Sequence, residues 1–155
     1  ISIYIADKEY ECETIFTNEI DDIAIIRVKD TVLRFFPIPF SSKNLEVGDD
    51  VVAFGFPLAS TMGKELKMSS GIVNSSKGFQ DDVRYFQFSD PIDPGNSGGP
   101  ILNKSGNLVG LVTAKYTSAT NAGYALNLIN LIKNIPRGIN FKKETNPQTS
   151  SNSAI

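Results

Sequence analysis

The chain has 155 residues, 41% hydrophobic and 21% charged, and its 15 basic and 17 acidic side chains leave a formal net charge of −2. That balance belongs to an ordinary globular domain, or to two small barrels sharing a core. It carries no electrostatic footprint for nucleic acid, and no apolar run has the length of a membrane-spanning helix.

The first residues, "ISIYIA" (1–6), place isoleucines at 1, 3 and 5, the period-two pattern of a half-buried strand. They read as a strand entered midway, without the charged start and cleavage site of a signal peptide. "DKE" then turns the chain into "YECETIF" (10–16), which predicts a hairpin. Cys12 is the single cysteine and the chain has no histidine. An internal disulfide is excluded, the thiol has no imidazole to activate it, and a buried strand position is expected for it. "DIAIIRV" (22–28) is more continuously apolar and predicts a third strand buried on both faces. The stretch "KDTVLRFFPIPFSSKNLEVGDD" (29–50) is broken by prolines and glycine and reads as a segment crossing between two units.

Six further strands follow at 51–56, 66–74, 83–89, 100–103, 108–116 and 123–128, separated by glycine- and serine-rich turns. Short strands at such spacing predict an all-β barrel. "KSGN" (104–107) sits between two apolar runs as a hairpin turn. One helix is expected near the end, where Leu128, Leu131, Ile132 and Ile135 form one apolar stripe and Pro136 and Gly138 stop it. Domain boundaries follow: 1–50 as an N-terminal barrel remnant with its crossing segment, 51–138 as a C-terminal barrel with its helix, and 139–155 as a polar linker or disordered tail.

The chemistry concentrates in "DPIDPGNSGGPIL" (90–102). Three glycines bracket Asn96 and Ser97, and glycine lets a backbone turn sharply and present neighbouring N–H groups outward. Gly95–Asn96–Ser97 can therefore serve as an oxyanion hole, with the Gly95 and Ser97 N–H groups as donors to the carbonyl that Ser97 attacks. The bland alternative is a hairpin loop of small residues. A serine hydroxyl also needs a base to take its proton, and the chain has no histidine for that role. No G-x-G-x-x-G after a strand and no His/Cys ligand cluster supports a nucleotide cofactor or a metal, so no cofactor is expected.

"GNSGGPILNKSGNLVGLVTAKY" resembles the nucleophile region of trypsin-like serine proteases, and "DIAIIRV" resembles the strand that carries their catalytic aspartate. "LEVGDDVVAFGFPL", "GYAL" and the asparagine before the serine are similar to the bacterial HtrA/Deg branch. The resemblance spans residues 1 to about 135 in the family's order. It implies a two-barrel trypsin-like fold with an incomplete first barrel, Ser97 as nucleophile, Asp22 (the residue immediately before Ile-Ala, not Asp21) as triad acid, and Thr113 as the hydroxyl supporting that acid. It implies a polypeptide substrate. It also implies a specificity pocket lined by Pro91, Ile92, Thr113, Ala114, Lys115, Ala122 and Gly123, with Asp90 and Asp93 pointing away, which favours small or medium aliphatic residues before the cut.

The chain departs from the family in two ways. The T-x-H or A-x-H segment that supplies the base is missing, and only three strands precede the crossing segment where the fold's first barrel uses six. The resemblance thus implies the C-terminal part of a longer catalytic domain, with the histidine outside these residues. A pseudoprotease that keeps the fold and binds peptides without cleaving them is the second function class left open.

Overall fold

The computed structural model describes residues 1–30, 33, 37–56, 65–90, 92–113 and 122–139. They divide into two compact units, Ile1–Pro37 and Ile38–Ile155.

The first unit is a three-stranded antiparallel sheet in the order β1-β2-β3, formed by Ser2–Ile5, Lys8–Asn18 and Ile23–Val28. The β1–β2 hairpin closes through Ala6 and Asp7, one residue earlier than the expected turn, and both have positive φ (48° and 63°). Two left-handed central residues match the right-handed twist of the flanking strands. Cross-strand pairs such as Ile3↔Tyr10 and Cys12↔Val28 put apolar side chains on one face, and Cys12 is 5% exposed there. The other face is polar, with ion pairs Arg27–Glu13 at 3.0 Å and Lys29–Glu11 at 2.5 Å. The expectation that residues 22–28 are buried on both faces is corrected by this arrangement. Along β3 half-buried and exposed residues alternate, and Ile26 is 37% exposed. A three-stranded sheet has a single apolar face, so a continuous apolar run in it cannot be covered on both sides.

The second unit contains a closed six-stranded barrel in the order β4-β5-β6-β9-β8-β7. The strands are Asp50–Gly55, Lys67–Ser75, Tyr85–Phe88, Pro100–Asn103, Leu108–Thr113 and Gly123–Asn127, numbered β4 to β9 in chain order. The ring closes because β4 pairs with both β5 and β7. Closure leaves no edge, and the inward residues fill the interior. Val51, Ala53, Val73, Phe86, Phe88, Ile101, Val109, Val112 and Ala125 form that core. The crossing segment packs on this unit. Phe40 bridges to Leu108, the Leu108 N–H donates to the Pro39 carbonyl at 2.8 Å, and Leu45 lies against the core. A 3-10 turn, Phe79–Asp81, precedes β6.

The expected helix is present as α1, Leu128–Lys133, and buries Leu128 and Leu131. The Asn127 side chain caps it by accepting from the Ile129 N–H at 3.1 Å. No helix among the described residues is long and apolar enough to cross a membrane. The expected tail from 139 lies, after its first residue, outside the described residues.

Candidate functional site

The loop around Ser97 leads into β7 and is held by the two strands that flank β7 in the barrel, β4 and β8. Asp93-Pro94-Gly95-Asn96 forms a tight turn in which the Asn96 N–H donates to the Asp93 carbonyl at 3.1 Å. Proline stands at the first central position, and Gly95 at the second has φ of +105°. Those are the residue requirements of a type II turn. A type II turn faces the Pro94–Gly95 peptide the opposite way from a type I turn, and among the described residues the Gly95 N–H makes no backbone bond in it.

The loop is then clamped from both sides. Toward β8, the Gly98 N–H donates to the Val112 carbonyl at 2.8 Å and the Val112 N–H to the Gly99 carbonyl at 2.9 Å. Toward β4, the Phe56 N–H reaches the Gly95 carbonyl at 3.4 Å. The backbones meet without side chains between them. A Cβ on Gly99 would collide with the Phe54 carbonyl oxygen, and one on Gly55 would collide with Asn96 Oδ1 and stand 2.9 Å from Asn96 Cα. These two glycines set the height of Ser97 over the barrel.

Between the clamps, Ser97 is exposed and Asn96 is buried. Among the described residues, the Gly95 N–H, the Ser97 N–H and the Ser97 hydroxyl have no protein partner. Two unengaged backbone donors beside an exposed hydroxyl can hold an oxyanion that forms on a carbonyl attacked by that hydroxyl.

In the first unit, Asp21 and Asp22 end the turn between β2 and β3. The Asn18 side chain organises it, accepting from the Ile20 N–H at 2.9 Å and donating to Asp21 Oδ2 at 2.9 Å. Asp21 is thereby buried and held, while Asp22 is exposed with φ of +53°. Aspartate tolerates this left-handed conformation better than most residues. Thr113 is the last residue of β8, half-buried and paired with Tyr124 of β9.

Of the residues expected to line a specificity pocket, Pro91, Ala114 and Lys115 lie outside the described residues. Ile92 and Gly123 are brought together, since a Cβ on Gly123 would stand 2.7 Å from Ile92 Cγ1 and 2.6 Å from Phe88 Cζ. Ala122 is half-buried beside them in sequence. The Asp90 carboxylate accepts from the Ser69 hydroxyl of β5. With Asp93 it lines a small cavity of about 110 Å³ bounded by β4 and β5. Sequence reasoning did not single out Gly55, Lys67 or Ser69 of that cavity, because the three residues become neighbours of the serine loop only through strand pairing. A wider cavity of about 690 Å³, by residues 41–50 and the β7–β8 turn, includes none of the serine-loop residues. Among the described residues no three His, Cys, Asp or Glu side chains group as metal ligands.

Comparison with known proteins gives the following. Residues 3–111 match the family model described as trypsin-like peptidase domain. The chain is 36% identical over 115 residues to a putative serine protease HhoA of Synechocystis sp., covering 71% of this chain and 29% of that one. It is 36% identical over 114 residues to a probable periplasmic serine endoprotease, DegP-like, of Hahella chejuensis, covering 71% and 23%. The chain thus spans less than a third of the length of these curated relatives. The crystal structure of the serine endoprotease from Yersinia pestis superposes with a TM-score of 0.67 at 23% identity, over 85% of this chain and 46% of that one. That likeness is one of fold.

Proposed function

Because the chain belongs to the trypsin-like peptidase family and is HtrA-like within it, we propose that it carries the nucleophile of a serine endopeptidase acting by acyl transfer. The observation that carries this reading is the Asp93–Asn96 turn, which leaves the Gly95 N–H unengaged beside an exposed Ser97.

In the proposed reaction Ser97 Oγ attacks the scissile carbonyl carbon as a base removes its proton. The C–O bond forms, the carbonyl electron pair moves to oxygen, and the oxyanion takes hydrogen bonds from the Gly95 and Ser97 N–H groups. Collapse breaks the C–N bond, the protonated base delivers its proton to the leaving amine, and water releases the acyl group by the reverse sequence. The family resemblance assigns the role of triad acid to Asp22 and that of its supporting hydroxyl to Thr113. With no histidine in the 155 residues, the base is supplied from outside them.

Ile92, Gly123 and Ala122 line the pocket for the residue before the scissile bond, together with Pro91, Thr113, Ala114 and Lys115. The Ile92 side chain lies close to Gly123, and an apolar lining of this kind suits a small or medium aliphatic group. A basic side chain there would be desolvated without a counter-charge, at a cost of several kcal/mol.

The test is labelling by a fluorophosphonate probe. A protein that joins this chain to its histidine-bearing region is expected to react at Ser97, and Ser97→Ala to abolish the reaction. The absence of any histidine favours one alternative, a peptide-binding module without the chemistry. A folded, histidine-bearing protein that binds extended peptides yet stays unlabelled decides for it.

A further inference from the structure

Side chains along β5 alternate between the barrel interior and its surface. Val73 is fully buried and Met68 is 65% exposed, so Lys67 and Ser69, which share the parity of Val73, face inward at the barrel mouth. Lysine is an unexpected residue on that side of a strand. It is half-buried, and its ammonium forms no ion pair with any described carboxylate.

Directly across the ladder from Lys67 stands Gly55. Opposed residues of an antiparallel pair send their side chains to the same face, with Cβ atoms roughly 5 Å apart. The space that a Gly55 side chain would take is occupied by Asn96 Oδ1. That oxygen is buried and accepts no hydrogen bond. The cavity beside it, of about 110 Å³, is lined by Gly55, Lys67, Ser69, Asp90, Asp93 and Asn96. Its donors and acceptors do not balance. The Ser69 hydroxyl is already committed to Asp90. The Asn96 amide Nδ2 cannot reach its own Oδ1, and of the other side chains lining the cavity only the Lys67 ammonium brings uncommitted donors, three of them on a flexible four-carbon stem.

We propose that Lys67 is a positioning residue of the serine site, whose ammonium enters this cavity, donates to Asn96 Oδ1 between the Asp90 and Asp93 carboxylates, and so holds the turn that aims the Gly95 N–H. The proposal rests on reading Gly95 and Ser97 as oxyanion donors. Gly95 can adopt either sign of φ, so the turn has two accessible forms, and only one presents that N–H outward. Anchoring Asn96, the turn's last residue, selects between them. A two-state element of this kind needs one contact that differs between its forms, and the Lys67–Asn96 bond supplies it.

Lys67→Met keeps the stem and removes the donors. The Gly95 amide NMR signal reads which way the Pro94–Gly95 peptide faces without any catalysis, whereas the Asn96–Asp93 bond is common to both turn types, and a shifted or doubled Gly95 signal is expected in the variant at unchanged Tm. In the histidine-bearing protein the maximal rate of Ser97 labelling should fall by about 10²-fold, the scale of losing one oxyanion donor, with the half-saturating probe concentration unchanged. In the unmutated protein, the Lys67 ammonium protons should exchange slowly enough to be seen by NMR, which decides the point even if the variant misfolds. A Gly95 amide signal unchanged in the variant, or a Lys67 ammonium exchanging as fast as the surface lysines, overturns the proposal. A histidine-bearing protein with Lys67 intact that shows the protected ammonium but never labels leaves the Lys67–Asn96 contact standing and defeats the protease reading instead.

Discussion

At the residue scale, glycines without side chains do the positioning. Gly55 and Gly99 let the serine loop lie directly on the β4 backbone, and neither position has space for a methyl group. Gly55→Ala forces Asn96 away from β4, because the added carbon meets the Asn96 Cα at 2.9 Å as well as its side chain. Overpacking of this kind costs about 1–3 kcal/mol. The expected outcome is a modest drop in Tm with a disproportionate loss of Ser97 labelling, measured together by calorimetry and a fluorophosphonate time course. Labelling that falls only as far as the folded fraction falls would mean the loop is not seated on Gly55. The proposed selectivity belongs to the same scale. A peptide library incubated with the histidine-bearing protein should be cut after Val, Ala or Ile, and Ile92→Gly, which removes the group packed on Gly123, should shift cleavage toward larger apolar residues. Efficient cleavage after Arg or Lys contradicts the assigned lining.

At the element scale, most strands were legible in the sequence because period-two alternation is a local property of a sheet with one buried face. Ile3, Tyr10, Val73 and Ile101 all point where that alternation puts them. The failures are non-local. Nothing in "KDTVLRFFPIPFSSKNLEVGDD" signals that Pro39 and Phe40 attach to Leu108, nearly seventy residues on [~P166]. The burial of Asn96 depends on Gly55, and the cavity behind it on Lys67, through pairings that no short window contains. The β1–β2 turn was misplaced for a different reason. Turn chemistry favours Asn, Asp or Gly where φ is positive, and this hairpin uses Ala6 at φ of 48°. A left-handed alanine costs about 1–2 kcal/mol. Ala6→Gly should therefore raise stability by up to about 1 kcal/mol, part of the relief being offset by glycine's greater freedom in the unfolded chain. Urea denaturation followed in the first unit checks it, and an unchanged or lowered midpoint would show that the turn is not strained.

At the scale of the whole molecule, the two units differ in what closes them. The barrel of Ile38–Ile155 has no edge, whereas among the described residues the sheet of Ile1–Pro37 has two outer strands, β1 and β3, each paired on one side only. Folding of the serine loop depends on β4 and β8 of the barrel, so Ser97 should be correctly presented in the 155-residue chain by itself. Reactivity should nevertheless be absent there. Without histidine nothing accepts the serine proton, and in a related triad losing the base alone lowers turnover by roughly 10⁶. The oxyanion donors and groove would retain about 10³-fold over water, below what a routine probe assay detects. The 155-residue chain is thus expected to label no faster than its Ser97→Ala variant over hours. Restoring a histidine-bearing region should raise labelling by several orders of magnitude. Asp22→Ala in that restored protein should lower stability by no more than the roughly 1–2 kcal/mol of a left-handed alanine, since the Asp22 side chain is exposed and the turn is held by Asn18 and Asp21, yet slow labelling by about 10⁴-fold, the loss seen when a triad acid no longer orients its imidazole. If Asp22→Ala labels at the wild-type rate while Asp21→Ala does not, the triad acid is the buried aspartate of the pair, and the residue before Ile-Ala is only its neighbour.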